Sequence, residues 1–296
     1  ARGSLDVIGS EETSAQLQIQ LQNTLGNIEL ERGNSSTASK LFELNCNLAR
    51  ENGLPDEEIR SLTQLGLASL HENSLAEAER FERQALAKAE TTLGRHRRAG
   101  ICLQHLAVIT ERRSNFAEAL ALYQRAVGTF KKTGHRTHLA WTAIDLGKLY
   151  LELGEVNRAR AMVRLAERLG GTDAAAALTI NCDILHGRLA MQDSRFAEAR
   201  ERLRRSANEA KTVRQQERQS RALWHLAQLE LELGDAQAAQ QTLNEIPAPL
   251  PNSLRAGILL TQANVLRDAG HGDKARQRYG ELLEFSDATE SREHQW

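Results

Sequence analysis

The stretch Leu146–Ala159, LGKLYLELGEVNRA, decides the fold because its layout recurs along the chain. Gly147 is followed seven residues later by Gly154 and twelve residues later by Ala159. A small residue recurs at the position of Gly147 every 36 to 41 residues, at Gly26, Gly66, Ala107, Gly147, Gly187, Ala227 and Ala263. Ala stands twelve residues after each of them, at Ala38, Ala78, Ala119, Ala159, Ala199, Ala239 and Ala275. The chain is therefore predicted to be an array of seven repeats.

Each repeat is predicted to be a hairpin of two helices, A and B. Apolar residues are spaced as on one face of a helix, for example Leu146, Leu149, Tyr150 and Leu153. Seven residues after each small residue stands a residue that ends a helix or tolerates a tight, left-handed turn: Gly33, Asn73, Ser114, Gly154, Ser194, Gly234 and Gly270. Small residues on facing helices let two backbones approach closely.

This pattern predicts helix A over 140–153 with helix B over 156–169, and in the sixth repeat 220–233 with 236–246. No segment alternates in the manner of a strand, so the predicted fold class is all-α. Because stacked hairpins bury a continuous seam, we expect one right-handed α–α superhelix (a solenoid) of about seven repeats.

The layout resembles the tetratricopeptide repeat family, whose helix A contains Leu-Gly and then Tyr, and whose helix B contains Ala, an aromatic residue and Ala. The matching residues are Leu106, Ala107, Ala119, Tyr123 and Ala126 in the third repeat, and Leu146, Gly147, Tyr150, Ala159 and Ala166 in the fourth. The resemblance extends from residue 15 to about 287, but the period is near 40 instead of about 34 and most repeats lack the family's closing Pro. Such long repeats are similar to those of bacterial signal-responsive regulators and of kinesin-light-chain scaffolds.

The predicted organisation is a flexible segment 1–10, an array over 11–287 and a polar tail 288–296. The repeats are expected at about 11–52, 55–93, 96–132, 135–169, 172–211, 213–246 and 252–287. Pro247, Pro249 and Pro251 interrupt the helical pattern. They are interpreted as a stiff connector that shortens helix B of the sixth repeat, with a hinge as the alternative.

Composition excludes several classes of protein. The 296 residues have a formal charge of −1, no apolar run long enough to span a membrane, and no catalytic motif. Cys46, Cys102 and Cys182 lack zinc spacing and are predicted to be buried free thiols, which suits a reducing cytosol. The predicted protein is cytoplasmic and non-enzymatic, without cofactor or metal. Because the chain does not start with Met, we expect it to be a region of a longer protein.

The histidines are not interpreted as a metal site. His135 and His138 are three residues apart, but a bare pair without further ligands is a weak metal site. His105 and His225 both stand two residues before the small residue of their repeat, which indicates a structural position.

The resemblance implies that helices A line a concave groove and contact a ligand from fixed positions in each repeat. Carried over to this chain, those positions name ten candidate binding residues: Arg60, Gln104, Trp141, Lys148, Asn181, Arg188, Arg221, Trp224, Gln228 and Asn264. Trp and Arg are enriched at interface hot spots. Packing between helices is the alternative role of the two tryptophans.

Charge favours an anionic ligand. Residues 95–221 contain 24 Lys and Arg against 13 Asp and Glu, although many of the arginines are expected on solvated B helices. Lys148, Arg188 and Arg221 fall at groove positions in successive repeats. The groove is therefore predicted to bind an acidic peptide or a C-terminal carboxylate.

The predicted function is protein or peptide binding in the sensor or docking region of a larger bacterial regulator. A self-associating scaffold and a small-ligand sensor domain of a transcriptional activator are the alternatives, and a homo-oligomer remains open. Nucleic-acid binding is disfavoured because the total charge is −1.

Overall fold

The computed structural model describes residues 2–91, 96–170 and 175–289. In these ranges all regular secondary structure is helical, which confirms the predicted all-α class. The fourteen described helices are α1 Arg2–Glu31, α2 Ser35–Glu51, α3 Pro55–His71, α4 Leu75–Thr91, α5 His96–Arg112, α6 Phe116–Thr133, α7 Arg136–Glu152, α8 Val156–Gly170, α9 Ala176–Gln192, α10 Phe196–Thr212, α11 Gln216–Glu232, α12 Ala236–Asn244, α13 Asn252–Asp268 and α14 Gly272–Thr289.

Helix boundaries differ from the prediction mainly at the start of the A helices. Helix α7 begins at Arg136 and α11 at Gln216, each four residues before the predicted start. Apart from Leu139, these first turns are polar, so the apolar pattern does not reveal them. Helix α1 begins at Arg2, inside the segment expected to be flexible, whereas residues 290–296 of the expected tail lie outside the described residues.

The turn inside each hairpin has the predicted left-handed residue. All seven predicted positions have positive φ, between 57° and 82°: Gly33, Asn73, Ser114, Gly154, Ser194, Gly234 and Gly270. After α7, the Gly154 N–H donates to Leu151 O at 3.1 Å and the Glu155 N–H donates to Tyr150 O at 2.8 Å. This paired bonding is the Schellman pattern, which satisfies carbonyls at the end of a helix and turns the chain back.

Close packing explains the small residues that define the repeat. The seven Ala residues twelve positions after each small residue are all buried, from Ala38 at 0% to Ala275 at 3% exposed. A Cβ built on Gly147 would lie 2.9 Å from Leu185 Cδ2, and one built on Gly187 would lie 2.8 Å from Leu203 Cγ. A larger side chain at these positions would force neighbouring helices apart.

The chain divides into two compact units. The first comprises residues 1–110 and 117–134, and the second comprises residues 111–116 and 135–296. In the second unit, A helices α7, α9, α11 and α13 pack side by side, and each also packs against its own B helix. This row of A helices positions most of the candidate binding residues.

Two further predictions are confirmed in the described residues. Helix α12 ends at Asn244 after nine residues and α13 begins at Asn252, so the proline segment does shorten helix B of the sixth repeat. Cys46, Cys102 and Cys182 are buried free thiols. No described helix is both long enough and apolar enough to cross a membrane.

Candidate functional site

The ten predicted binding residues are divided between the two units. Arg60 and Gln104 lie on α3 and α5 of the first unit, where Arg60 is 3.5 Å from Glu57. The other eight lie on the adjacent A helices α7, α9, α11 and α13 of the second unit. The second unit therefore contains the main candidate site.

Three predicted cations lie near enough to one buried histidine in this unit to lower its pKa. His225 is 6% exposed, and a 2.8 Å hydrogen bond joins its Nδ1 to Gln228 Oε1. Burial lowers the pKa of His225 well below its ordinary value, and the charges of Arg188, Arg221 and Lys148 lower it further. Lys148, Arg188 and Arg221 thus form a cationic cluster around an imidazole that stays neutral.

The three cations differ in how well they are paired. Lys148 Nζ lies 3.0 Å from Asp145 Oδ1, and Arg221 donates to Glu217 Oε1 at 2.8 Å, both within one helix. Arg188, whose side chain is 20% exposed, lies 3.9 Å from Glu152 Oε1 on α7, beyond hydrogen-bond distance. Burial lowers the pKa of Arg188, and the neighbouring Arg221 lowers it further.

Sequence reasoning missed Arg218, which extends this cluster to Trp141. The Arg218 guanidinium lies 5.5 Å from the centre of the Trp141 ring, within cation–π range, and its Nε is buried without a hydrogen-bond partner. Burial lowers its pKa. Arg218 stands in the polar first turn of α11, before the predicted start of that helix, so no groove position was assigned to it.

Trp224 packs between helices, whereas Trp141 remains on the cationic surface. The Trp224 indole donates from Nε1 to Thr261 Oγ1 at 2.8 Å, and a Cβ built on Gly257 would lie 2.7 Å from its Cη2. The ring is therefore held between α11 and α13.

The remaining carboxamides also have partners inside the protein. Asn181 is buried and donates to Ala177 O at 2.9 Å, and Asn264 Oδ1 accepts from the Tyr279 hydroxyl at 2.7 Å. Gln228 is bonded to His225. The side chains that bring positive charge to the site are Lys148, Arg188, Arg218 and Arg221, and Asp145, Glu152 and Glu217 lie beside them.

Three tetratricopeptide-repeat family models match the sequence, over residues 59–98, 101–170 and 184–253, more than half of the chain in total. The chain belongs to the tetratricopeptide repeat superfamily. No curated protein matches its sequence significantly.

Solved structures share the tetratricopeptide repeat fold at low sequence identity. A Rap protein complexed with competence and sporulation factor is 14% identical, with a TM-score of 0.73 over 98% of this chain and 81% of that chain. The Rap conjugation gene regulator of plasmid pLS20, in complex with the Phr* peptide, is 11% identical, with a TM-score of 0.70 over 93% and 77%. The apo form of the quorum sensor NprR from B. thuringiensis is 16% identical, with a TM-score of 0.62 over 96% and 81%.

Much of the basic surplus of this tetratricopeptide repeat protein is neutralised on its B helices. Arg202 and Arg205 on α10 both donate to Asp183 Oδ1, at 2.9 and 2.6 Å. Arg204 donates to both carboxylate oxygens of Glu245, at 2.8 and 2.7 Å. These arginines form ion pairs that link neighbouring helices. Helix α10 therefore has less unpaired positive charge than the sequence suggests.

The histidines in the described part of the chain show no arrangement for metal binding. His135 and His138 lie with ring centres 6.3 Å apart, edge to face, and no described group of three or more His, Cys, Asp or Glu residues is arranged to hold a metal ion. His105 Nδ1 lies 2.6 Å from Glu82 Oε1 and His225 is bonded to Gln228, so both occupy internal positions.

Proposed function

We propose that this protein is a non-enzymatic binding domain whose second unit binds an acidic peptide segment, or the C-terminal carboxylate, of a partner protein. The observation that supports this most directly is Arg188, a largely buried cation whose nearest carboxylate is 3.9 Å away. The domain would then act as the sensor or docking part of a larger bacterial regulatory protein.

The physical reason is that a buried guanidinium loses hydration and needs an anion in return. The carboxylates of Glu152, 3.9 Å away, and Glu111 act on Arg188, but the cationic neighbour Arg221 opposes them, so the charge of Arg188 is only partly compensated. A ligand carboxylate at Arg188 would form short, charge-assisted hydrogen bonds of the kind that Arg makes best. Trp141, with Arg218 over its ring, offers an aromatic contact beside that anchor.

The comparisons support the ligand class. Two of the similar structures are complexes of Rap proteins, one with competence and sporulation factor and one with the Phr* peptide. Because their repeats are arranged like those of this chain, a peptide is a suitable ligand for the same row of A helices.

The proposal is tested with an array of short peptides, acidic and basic, each with a free or an amidated C terminus. The affinity of the best acidic peptide is then measured by fluorescence anisotropy for the native chain, Arg188→Glu and Arg164→Glu. Arg164 is an exposed residue of helix α8 in the same unit, so its variant has the same charge change away from the A helices. We expect Arg188→Glu to lose at least about tenfold in affinity, about 1.4 kcal/mol, and Arg164→Glu to bind normally.

Circular dichroism verifies that both variants remain helical. Equal binding by the native chain and a helical Arg188→Glu variant would contradict the proposed site. Selection of basic peptides only would contradict the proposed ligand.

Self-association is a second candidate function, favoured by one face of α1. Leu17, Leu21, Leu25 and Ile28 on this helix are 57%, 60%, 53% and 38% exposed. Residues 13–28 contain no charged side chain, although 26% of the chain is charged. Depletion of charge and exposed apolar side chains are typical of interface cores. Two copies can pair through this face without repulsion between like charges.

A further inference from the structure

A polar cavity lies between the last three helices, away from the cationic cluster. Its volume is about 490 Å³, and it is lined from α12, α13 and α14. Four carboxamides contribute to its wall: Gln240, Asn244, Gln262 and Gln277. None of the described residues that line it is acidic.

Among the residues that line this cavity, Gln262 stands at a repeat position that is usually Leu. The corresponding position, one residue before the small residue, is Leu in five of the seven repeats. Four of those leucines, Leu65, Leu106, Leu146 and Leu226, are at most 3% exposed. Gln262 instead brings an amide to this core position, and its Oε1 is buried without a hydrogen-bond partner. An acceptor without a partner favours a donor. Because Gln262 also lines the cavity, a rotation of its flexible side chain brings this oxygen to a ligand there.

Two cations line the same cavity. Lys274 is exposed and forms no ion pair with any described residue, and Arg278 lies 2.5 Å from Glu281 through Nη1 only. The nearby Asp273 is 3.4 Å from Arg276, outside the cavity. The lining therefore combines positive charge for an anionic group with carboxamides, which bond hydroxyl groups both as donors and as acceptors.

From this combination we propose that the cavity between α12, α13 and α14 binds a small anion that also bears hydroxyl groups, such as a sugar phosphate. Lys274 and Arg278 bind the anionic group. The Gln262 amide turns toward the cavity so that its Oε1 accepts a hydrogen bond from a ligand hydroxyl, and the other carboxamides orient the remaining hydroxyls. This site is independent of peptide binding at the cationic cluster.

Isothermal titration calorimetry of the full chain tests the site with three probes: glucose 6-phosphate, glucose and inorganic phosphate. We expect measurable binding of glucose 6-phosphate and at least tenfold weaker binding of the other two, because each provides only part of the chemistry. Lys274→Glu should weaken glucose 6-phosphate binding at least tenfold. Arg276→Glu is the matched control on α14, since its side chain is 84% exposed and not part of the lining.

Gln262→Leu separates a ligand role from a structural role. The variant restores the residue found in most repeats, so its melting temperature should equal or exceed that of the native chain while glucose 6-phosphate binding falls at least tenfold. Unchanged binding by Gln262→Leu, equal affinity for inorganic phosphate, or no heat with any probe at millimolar concentration would each overturn the proposal.

Discussion

A pair of glycine substitutions tests whether close packing at a single backbone position holds the sixth and seventh repeats together. Gly257 on α13 faces the Trp224 ring, and a Cβ built there would lie 2.7 Å from Cη2 and 3.0 Å from Cε2. Gly280 lies within α14, where a built Cβ would have no neighbour within 4 Å. Both residues are helical, so Gly→Ala brings the same gain in helix preference at each site, about 1 kcal/mol.

The two variants should therefore move stability in opposite directions. Gly280→Ala is expected to stabilise the chain by about 0.5–1 kcal/mol. Gly257→Ala must displace an indole ring, which costs about 1–3 kcal/mol as overpacking. It also strains the 2.8 Å bond from Trp224 Nε1 to Thr261 Oγ1, worth about 1 kcal/mol. After the gain in helix preference, the net loss is about 1–3 kcal/mol.

Guanidinium unfolding followed by far-UV circular dichroism measures the difference between the variants. Because repeat arrays can unfold in segments, hydrogen exchange of the α13 amides locates the effect. We expect faster exchange in α13 for Gly257→Ala only. If Gly257→Ala were as stable as Gly280→Ala, Trp224 would not be wedged between α11 and α13, and its assignment as a packing residue would fail.

Two further expectations concern His225 and helix α1. Because the pKa of His225 is lowered in the native state, the unfolded chain binds a proton at this residue below about pH 6.5 while the native chain does not. The free energy of unfolding should therefore fall as pH decreases through about 6.5, by up to about 1.4 kcal/mol per pH unit. The His225→Gln variant should flatten the slope of the unfolding midpoint against pH, and an unchanged slope would contradict the buried neutral imidazole. For α1, light scattering over a concentration series should show a dimer that Leu21→Glu/Leu25→Glu abolishes, with Leu283→Glu, an equally exposed residue of α14, as control. A native chain that is monomeric throughout would exclude pairing through this face.

The fold follows from the sequence because every repeat encodes the same local contacts. Gly154, Ala159 and their counterparts determine a left-handed turn and a close helix contact within about forty residues, and seven copies make the pattern unambiguous. The starts of α7 and α11 were not predicted because their first turns are polar apart from Leu139 and contribute little to the apolar periodicity.

The candidate site was only partly predictable for a related reason. The positions of Lys148, Arg188 and Arg221 on neighbouring A helices follow from the repeat, and the structure does bring them to one histidine. The contacts between helices do not follow from it: Glu152 on α7 lies 3.9 Å from Arg188 on α9, and the Arg218 guanidinium lies over the Trp141 ring two repeats away. Such contacts depend on side-chain directions between helices, which a one-dimensional pattern does not contain.

Within a repeat array, a polar residue at a core position shows where one repeat differs in chemistry from the others. Glu82 occupies a position that is otherwise aromatic or aliphatic, such as Phe42 and Leu203, and it is fully buried. Burial raises its pKa, and one oxygen bonds His105 at 2.6 Å.

Glu82 and Gln262 both have a buried oxygen without a partner, so that feature alone does not distinguish them. Access does. Glu82 is 0% exposed, and a Cβ built on Gly66 would lie 2.7 Å from its Oε1, so helix packing encloses the carboxyl group. Its cost is offset inside the protein by His105. Gln262 is only partly buried and lines a cavity, so a rotation of its side chain can bring its oxygen to a ligand donor. The same kind of substitution is therefore compensated by a partner inside the protein in the second repeat and, as we propose, by a ligand in the seventh.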